Sequence, residues 1–558
     1  MRISEITATK DEIIFTCDKA CACGDASVAA YVPVVCGDPQ AEFKPARMVA
    51  KYEREVAGGR IAIPRFAGDY DQLICRFVVS CSDGAAEGVC YVTEVDPSVA
   101  TYNYPYPKRI IKAVNVPNNT QEDIDILGLG QTSCGPNQAE LMAMHPSDKT
   151  ITHIYNGKPY YLKKDVVEAL DAYLAPYAAR EIPCLMRYIN GAFLIGERAD
   201  AEVVEIIQHP KYDYDFPAAY MSAFNVRTEE GLDHFCACTD FLVERYSRED
   251  RRYGWCLSFE MGNEVTSQYI WNNAGEMSCE QFMEEYTTIM RLAWLLSRKH
   301  YANFRIHTSF DQYFSGRHVP AEPRRYYGMR ECIDNIAKYC ARDGDFPWNI
   351  ATHPYPENLS FPDFYHDREP TFAFTTRRVT FKNLEVMPAY MAQEHLLYRG
   401  QPRRILFPEQ GFNSRDNETY TELEGAHGYC LAYLKIRQQP TIDLFLHHSY
   451  MDNPWEFGLN LGIRRFGGQD ANGKYIAGEP KPIYYVMRDM DTPAETQRVA
   501  EARAFIGEEL FDALLSPPKV TEDIDRSREG LSIPGQGNVN RERDADASQE
   551  GIVSNFDH

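Results

Sequence analysis

One apolar stretch that ends in polar side chains constrains this chain more than any other. Residues 255–265 read Trp-Cys-Leu-Ser-Phe-Glu-Met-Gly-Asn-Glu-Val. The small and apolar residues at its start are typical of a strand buried on both faces, as in parallel sheets covered by helices. Gly262, Asn263 and Glu264 follow where such a strand would meet its loop. Active sites of parallel α/β barrels are built at the carboxyl ends of the strands. The stretch therefore predicts a barrel strand that carries chemistry at its end.

A second apolar run, residues 404–412, also leads into a carboxyl group, that of Glu409. Carboxyl groups at two strand ends could face each other across the mouth of one barrel. Such a pair suits cleavage of a glycosidic bond, in which one carboxyl group protonates the leaving oxygen while the other attacks the anomeric carbon. The alternative is that Glu264 and Glu409 are solvated surface residues, which is the usual place of glutamate.

The pattern along the chain predicts an α/β fold, a (β/α)8 TIM barrel with an N-terminal β-sandwich-like domain. Residues 1–98 contain short β-rich runs separated by turn clusters, which indicates a β-sandwich accessory domain. Residues 105–515 alternate strands with amphipathic helices, which is typical of a barrel. Residues 516–558 are polar and charged and are interpreted as a C-terminal tail. We assign the eight strands to residues 124–129, 183–189, 220–225, 255–259, 303–310, 348–355, 405–409 and 442–448.

Composition restricts the partners and the location that we expect. The formal net charge of −23 argues against nucleic acid and anionic membranes, which attract basic patches. No run is long enough to span a membrane, and the first fifteen or so residues lack the basic start and apolar core of a signal peptide. We therefore expect a cytoplasmic protein, or a secreted one if a leader has been removed. The 16 cysteines show no paired zinc or redox spacing and are interpreted as reduced, small core residues.

Four short motifs carry a resemblance to a known superfamily. The Gly-Asn-Glu of residues 262–264, followed by the Glu-Gln-Gly of residues 409–411, resembles the strand-four and strand-seven signatures of clan A glycoside hydrolases, which are retaining (β/α)8 barrels. With the His-Pro-Tyr-Pro-Glu of residues 353–357 and the Tyr-Asn-Gly-Lys-Pro-Tyr-Tyr of residues 155–161, the chain resembles more closely a bacterial family of clan A-like barrels of unassigned function. The resemblance covers roughly residues 105–515.

This resemblance implies a glycoside hydrolase that retains configuration by double displacement and needs no cofactor. It implies that Glu264 is the acid/base and that Glu409 is the nucleophile. Glu260 is a competing acid because it would face the same way as Glu264 in a straight strand. Several predicted strand-to-helix connections are long, and if they all rise from the carboxyl end of the barrel they would enclose a deep pocket, which favours exo action on an oligosaccharide or glycoside.

Other side chains at the predicted strand ends are candidates for binding the carbohydrate. Asn263 could bond the sugar hydroxyl next to the reacting carbon, and Tyr355 could bond the nucleophile while His353 holds a sugar hydroxyl. Trp455 offers a flat face for stacking on a sugar ring, although Trp271 and Trp348 are alternatives and any of the three could be core. The remaining substrate-binding candidates are Arg187, which could instead form a structural salt bridge, and Asn225.

Two other functions stay open at this level. A barrel that binds a glycan without cleaving it is the first alternative, although the presence of both glutamates argues against an inactive enzyme. A metal-dependent hydrolase is the second, suggested by His353, His447 and His448. The His-x-His pair that such a barrel would show after its first strand is missing, so we expect no metal. The sugar, the linkage and the oligomeric state are not determined by the sequence.

Overall fold

The computed structural model describes residues 1–17, 24–35, 46–82, 84–471 and 473–522. Most of the predicted tail, residues 523–558, lies outside these ranges. The described chain divides into two compact units. The first consists of residues 1–107, 134–308 and 321–349, and the second of residues 108–133, 309–320 and the chain from residue 350 onward.

The described N-terminal part of the first unit is built from two small sheets and a separate pair of short strands, β6 and β7. Its strands are β1 (Arg2–Ala8), β2 (Glu12–Cys17), β3 (Asp25–Tyr31), β4 (Met48–Glu55), β5 (Arg60–Pro64), β6 (Phe66–Ala67), β7 (Tyr70–Asp71), β8 (Arg76–Cys81), β9 (Gly84–Ala85), β10 (Glu87–Gly88) and β11 (Glu94–Val95). One sheet has the order β10-β1-β2-β5 and the other β4-β3-β8-β9. Buried residues alternate with exposed or half-buried ones along β2, as expected for strands with one face on a core. The rings of Phe15 and Phe77, one from each sheet, meet edge to face at 5.2 Å, which is typical of a sandwich core.

The rest of the described chain alternates strands and helices. The strands are β12 (Lys112–Val114), β13 (Thr132–Cys134), β14 (Met142–Ala143), β15 (Thr150–Tyr155), β16 (Lys158–Lys163), β17 (Cys184–Tyr188), β18 (Cys256–Met261), β19 (Arg305–His307), β20 (Trp348–Ala351), β21 (Ile405–Phe407), β22 (Ile442–His447), β23 (Arg464–Gln469) and β24 (Tyr475–Pro480). The helices are α1 (Glu122–Ile126), α2 (Gln138–Leu141), α3 (Lys164–Ala178), α4 (Ala192–Ile195), α5 (Ala201–Ile207), α6 (Glu229–Tyr246), α7 (Gln268–Trp271), α8 (Cys279–Ser297), α9 (Met329–Asp343), α10 (Val386–Met391), α11 (Thr419–Arg437), α12 (Pro482–Asp489), α13 (Glu495–Ile506) and α14 (Glu508–Leu515). Among the described residues, no helix is long and apolar enough to cross a membrane.

Eight of these strands form one sheet in the order β12-β22-β21-β20-β19-β18-β17-β13. The pairs β12–β22, β17–β18, β18–β19, β19–β20, β20–β21 and β21–β22 are parallel. A parallel bridge between Ala113 and Gln131, the residue before β13, links the two ends of this order. The fold is a near-closed (β/α)8 TIM barrel with an N-terminal β-sandwich-like domain, as the sequence predicts. The predicted domain limits at residues 98, 105 and 515 stay a prediction.

Strands four to eight of the barrel lie where the sequence predicts them, but the first three strands do not. Residues 124–129, predicted as strand one, begin in α1, where Ile124 and Leu127 are buried at helical spacing. Barrel strands one and two are β12 and β13, which have three residues each. Strands this short carry no recognisable periodicity. The predicted second strand is therefore the third, β17, and residues 220–225 make isolated bridges instead of a strand.

Candidate active site

Glu264 lies in a sharp turn directly after β18, in the first unit. All six residues of β18 are buried, and the backbone nitrogen of Gly262 donates to the carbonyl oxygen of Tyr188 at 2.8 Å. Gly262 has a φ of 77°, and a Cβ atom at this position would collide with Oδ1 of Asn272. Glu264 itself has a φ of 41° and is half-buried. Positive φ is uncommon for residues other than glycine, and such strained positions cluster at functional sites.

Asn263 offers an amide group beside this glutamate. Its backbone oxygen accepts a hydrogen bond from Nδ2 of Asn272, which fixes the turn. The residue is 7% exposed, and among the described residues no donor reaches its side-chain oxygen. A buried polar atom without a partner costs free energy that a hydrogen bond from a ligand would recover. This amide is therefore available to a bound hydroxyl group. Asn272, which holds the turn, was not identified from the sequence because nothing in its local pattern marks it.

Glu260, the competing acid in the sequence, is a core carboxylate. Its side chain is fully buried, and Nε of Arg187 lies 3.1 Å from its Oε2. The two residues are register partners on β18 and β17, so the strands themselves hold the pair together. This arrangement corresponds to the salt-bridge alternative for Arg187. Burial without a charged partner would be costly for this carboxylate, and Arg187 supplies that partner.

Glu409 lies in the second unit, two residues after β21. Its side chain is 17% exposed, so most of its surface is shielded from water while part stays open. The hydroxyl group of Tyr355 donates to its Oε1 at 3.2 Å, which is the contact that the sequence predicts for this tyrosine. Nδ1 of the fully buried His353 is 4.0 Å from the same oxygen. A donor aimed at a carboxylate stabilises its charged form.

The loop that carries Tyr355 is held by partners that the sequence did not reveal. With its amide oriented to satisfy both neighbours, Gln312 donates to the carbonyl oxygen of Tyr355 at 2.7 Å and accepts from Nη1 of Arg378 at 3.1 Å. The guanidinium of Arg378 lies over the ring of Tyr313, 4.4 Å from its centroid. These contacts join residues that are far apart in the chain, so no local sequence pattern predicts them. They restrict the positions that the Tyr355 hydroxyl can take.

The side chain of Asn225 is hydrogen-bonded within the protein. Its Nδ2 donates to the carbonyl oxygen of Ile206 and to Oγ1 of Thr228, both at 2.8 Å. Its Oδ1 accepts from the backbone nitrogens of Arg227 at 3.1 Å and Thr228 at 3.2 Å. An asparagine amide has two donor and two acceptor positions, and all four are used within the protein. These contacts fix the chain at the entry into α6, and a role of Asn225 in substrate binding stays a prediction.

The aromatic and histidine candidates after β22 have different surroundings. Trp455 is 77% exposed, so its ring face is accessible, and its role as a sugar platform stays a prediction. His447 is buried and its Nε2 donates to the carbonyl oxygen of Leu461 at 2.9 Å. Burial lowers the pKa of His447 to about 3, so this side chain is neutral. His448 pairs instead with Oε1 of Glu456 at 2.6 Å.

The chain is thus a (β/α)8 barrel with a carboxyl group near the end of its fourth strand and another near the end of its seventh. The chain belongs to DUF5722, a family of unknown function, whose model matches residues 105–514. The sequence resemblance to a barrel family of unassigned function is thus confirmed. No curated protein matches the chain.

Several solved structures are similar to the chain at low identity. A family 39 glycoside hydrolase from the gut symbiont Bacteroides cellulosilyticus WH2 is 12% identical, with 88% of this chain and 83% of that chain covered and a TM-score of 0.42. GH5_18 from Streptomyces cattleya, in complex with GlcNAc, is 13% identical over 75% of this chain and 91% of that one, with a TM-score of 0.40. The beta-glycosidase from Thermosphaera aggregans is 13% identical over 70% and 87%, with a TM-score of 0.38.

Proposed function

We propose that this protein is a retaining glycoside hydrolase that uses Glu264 and Glu409 in a double displacement. The observation that carries the proposal is the surroundings of Glu409, a largely shielded carboxylate at a barrel strand end that accepts a hydrogen bond from Tyr355. A glutamate that is only solvated at the surface would not require such an oriented donor. Glu264 has a left-handed backbone conformation in the turn after β18, which supports a functional role for this second carboxyl group.

In this mechanism the carboxylate of Glu409 attacks the anomeric carbon and forms a covalent glycosyl-enzyme. Glu264 donates its proton to the leaving glycosidic oxygen in the same step. Water then enters, Glu264 removes its proton, and the water oxygen displaces Glu409 from the anomeric carbon. Both steps require the two carboxyl groups to be about 5 to 5.5 Å apart during turnover. We place Glu264 and Glu409 in these two roles.

The neighbours of the two glutamates fit the charge changes of each step. The Tyr355 hydroxyl supports the ionised Glu409 before attack, and it must release part of that interaction as the oxygen becomes bonded to carbon. The unpaired oxygen of Asn263 can accept a hydrogen bond from a sugar hydroxyl beside the reacting carbon. Hydrogen bonds to that hydroxyl strengthen in the transition state of glycoside hydrolysis. His353 contributes a further polar group beside Glu409.

Long connections after three strands support action on chain ends. Residues 189–228 lie between β17 and α6, residues 352–385 between β20 and α10, and residues 448–481 between β22 and α12. Loops of this length in a compact domain are commonly functional. We propose that they restrict access to the barrel mouth, so that the enzyme removes terminal residues from a glycoside or oligosaccharide. The negative net charge of −23 favours a neutral or weakly charged sugar.

Hydrolysis of a panel of aryl glycosides tests the proposal, with native protein compared with Glu264→Gln and Glu409→Gln. Glu508→Gln is the matched control because this glutamate lies on α14 and its side chain is 70% exposed. We expect release of the aryl group from one class of glycoside by the native and control proteins, and loss of nearly all activity in the other two variants. Native activity in both Glu264→Gln and Glu409→Gln would refute the assignment. A panel without any turnover, together with glycan binding, would favour the non-catalytic carbohydrate-binding barrel instead.

A further inference from the structure

Three cysteines on neighbouring barrel strands of the first unit converge. Cys134 is the last residue of β13, Cys184 the first of β17 and Cys256 the first of β18, and these strands are adjacent in the sheet. Their three sulfur atoms all lie within 4.8 Å of one another. Cys184 and Cys256 are at most 2% exposed, whereas Cys134 is half-buried. Three thiols are therefore gathered at one place in the first unit.

The sulfur spacing fits ligands of one ion better than it fits a disulfide. Sγ of Cys184 is 3.6 Å from Sγ of Cys134, whereas a disulfide needs about 2.05 Å. Thiolates bind Zn²⁺ at about 2.3 Å, and two ligands at that distance with a tetrahedral or trigonal angle lie about 3.8 to 4.0 Å apart. A small adjustment of the three side chains around a central ion would satisfy this spacing.

The chemistry of the donor set restricts which ion could bind. All three ligands are sulfur, and thiolates select Cu⁺ and Zn²⁺ over the hard cations that prefer oxygen. Three ligands suffice for Cu⁺, and Zn²⁺ would take a fourth ligand such as water from the half-buried side of Cys134. One present contact of the group is a weak hydrogen bond from Sγ of Cys184 to the carbonyl oxygen of Leu185 at 3.3 Å, which metal binding would replace.

We propose that Cys134, Cys184 and Cys256 form a binding site for one soft d¹⁰ cation, Cu⁺ or Zn²⁺. The ion would join barrel strands two, three and four, the last of which leads to Glu264. Its role is structural, because binding to the folded barrel but not to the unfolded chain stabilises the fold. The site is independent of the proposed glycosidase reaction, which uses none of these cysteines.

A buried cysteine pair elsewhere in the first unit supplies the matched control. Cys279 and Cys332 are both buried, and their sulfur atoms are 3.7 Å apart. Among the residues that the structure describes, this pair belongs to no group of three possible metal ligands. The two sites therefore share burial and sulfur spacing and differ in the third thiolate. If two close thiols were enough for binding, both sites would take up the ion.

The experiment is an anaerobic titration of the fully reduced, metal-free protein with Cu⁺ and, separately, Zn²⁺ against a chromogenic chelator. Native protein is compared with Cys134→Ser, Cys256→Ser and the control Cys332→Ser. We expect about one ion per chain, a thiolate-to-metal charge-transfer band with Cu⁺, and a higher Tm for the loaded protein. Loss of a ligand should weaken binding by at least about tenfold, since even outer-shell changes cost 10- to 100-fold. Cys332→Ser should bind like native protein.

Several results would overturn the proposal. Native protein that binds neither ion at this stoichiometry would contradict it, as would native-like affinity in Cys134→Ser. If Cys332→Ser lost as much metal affinity as Cys134→Ser, the third thiolate would not be the feature that determines binding. Circular dichroism checks that each variant is folded, and Cys134→Ala replaces Cys134→Ser if the latter is not. Protection of three thiols from alkylation by the bound ion provides a second readout that does not require a variant.

Discussion

The hydroxyl group of Tyr355 lies 3.2 Å from Oε1 of Glu409 and donates a hydrogen bond to it. This contact connects the loop after β20 to the end of the neighbouring strand β21. The backbone of Tyr355 is itself fixed, since Gln312 donates to its carbonyl oxygen at 2.7 Å. The donor is therefore preorganised toward the carboxylate, which is the condition under which hydrogen bonds contribute most to catalysis.

Replacing Tyr355 by phenylalanine should slow the proposed hydrolysis with little effect on substrate binding. Hydrogen bonds to charged groups contribute about 1.5 to 3 kcal/mol, which corresponds to a decrease in kcat of about 10- to 100-fold. Steady-state kinetics measure the change, with Tyr214→Phe as control because Tyr214 is 76% exposed. An unchanged kcat in Tyr355→Phe would show that this hydroxyl group does not support the nucleophile.

Asn263 and Asn225 should respond to alanine substitution in opposite ways. Asn263→Ala removes the unpaired amide oxygen beside Glu264, so we expect kcat/KM to fall by about tenfold or more, with Tm nearly unchanged. Asn225→Ala removes four internal hydrogen bonds, so we expect a loss of stability of about 1 to 3 kcal/mol with the kinetic constants of the folded protein preserved. Denaturant unfolding curves and steady-state kinetics of both variants test these two expectations. A selective loss of activity in Asn225→Ala would instead support its predicted binding role.

The ion pair between Arg187 and Glu260 should matter for stability. Arg187→Met leaves the fully buried carboxylate without this partner, and breaking a buried pair in this way costs about 3 to 5 kcal/mol. The double variant Arg187→Met/Glu260→Leu removes both charges and should recover much of that loss. Denaturant unfolding of the native protein, both single variants and the double variant gives the coupling between the two residues. Equal stability of Arg187→Met and native protein would contradict a structural role for the pair.

His447 should make the protein less stable as the pH falls below neutrality. Its folded-state pKa is lowered to about 3 by burial, whereas an unfolded histidine titrates near about 6.5. The unfolded chain therefore binds a proton first, and stability is lost between those two pH values at up to about 1.4 kcal/mol per pH unit. Above about pH 6.5 the residue is neutral in both states and has no effect.

Comparison of His447→Gln with native protein isolates this contribution. Glutamine can keep a donor toward the carbonyl oxygen of Leu461 but does not titrate. The stability difference between variant and native protein should shift in favour of the variant as the pH is lowered from 7 to 4. His145→Gln is the control, because His145 has a side chain that is 71% exposed. A pH-independent difference would show that His447 is not held neutral by burial.

Much of the fold could be predicted from the sequence because long buried strands leave a clear signal. The six-residue strands β18 and β22 are fully buried, mainly apolar runs with polar residues directly after them, and their positions are confirmed. The three-residue strands β12 and β13 escaped detection because their formation depends on pairing with neighbours and not on local pattern. The misassigned segment at Ile124 shows the same limit, since a few apolar residues suit a short helix equally well.

In the candidate site, residues that stand in local motifs could be predicted, whereas contacts between distant segments could not. Glu264, Asn263, Glu409 and Tyr355 stand in short motifs at strand ends and could be selected from the sequence. The internal use of Asn225 and the pairing of Arg187 with Glu260 depend on which segments meet in the fold. The cysteine cluster is the extreme case, because Cys134, Cys184 and Cys256 share no motif and are united only by the adjacency of their strands.

The most direct test of the central claim is the product that Glu409→Gly forms from a reactive aryl glycoside in the presence of azide. If Glu409 is the nucleophile and Glu264 the acid/base, the variant alone should be inactive. Azide should then enter the space left by the carboxylate, restore release of the aryl group and give the glycosyl azide of inverted anomeric configuration. A glycosyl azide of retained configuration would assign Glu409 to the acid/base role instead. Native activity of Glu409→Gly without azide would contradict a catalytic role for Glu409 altogether.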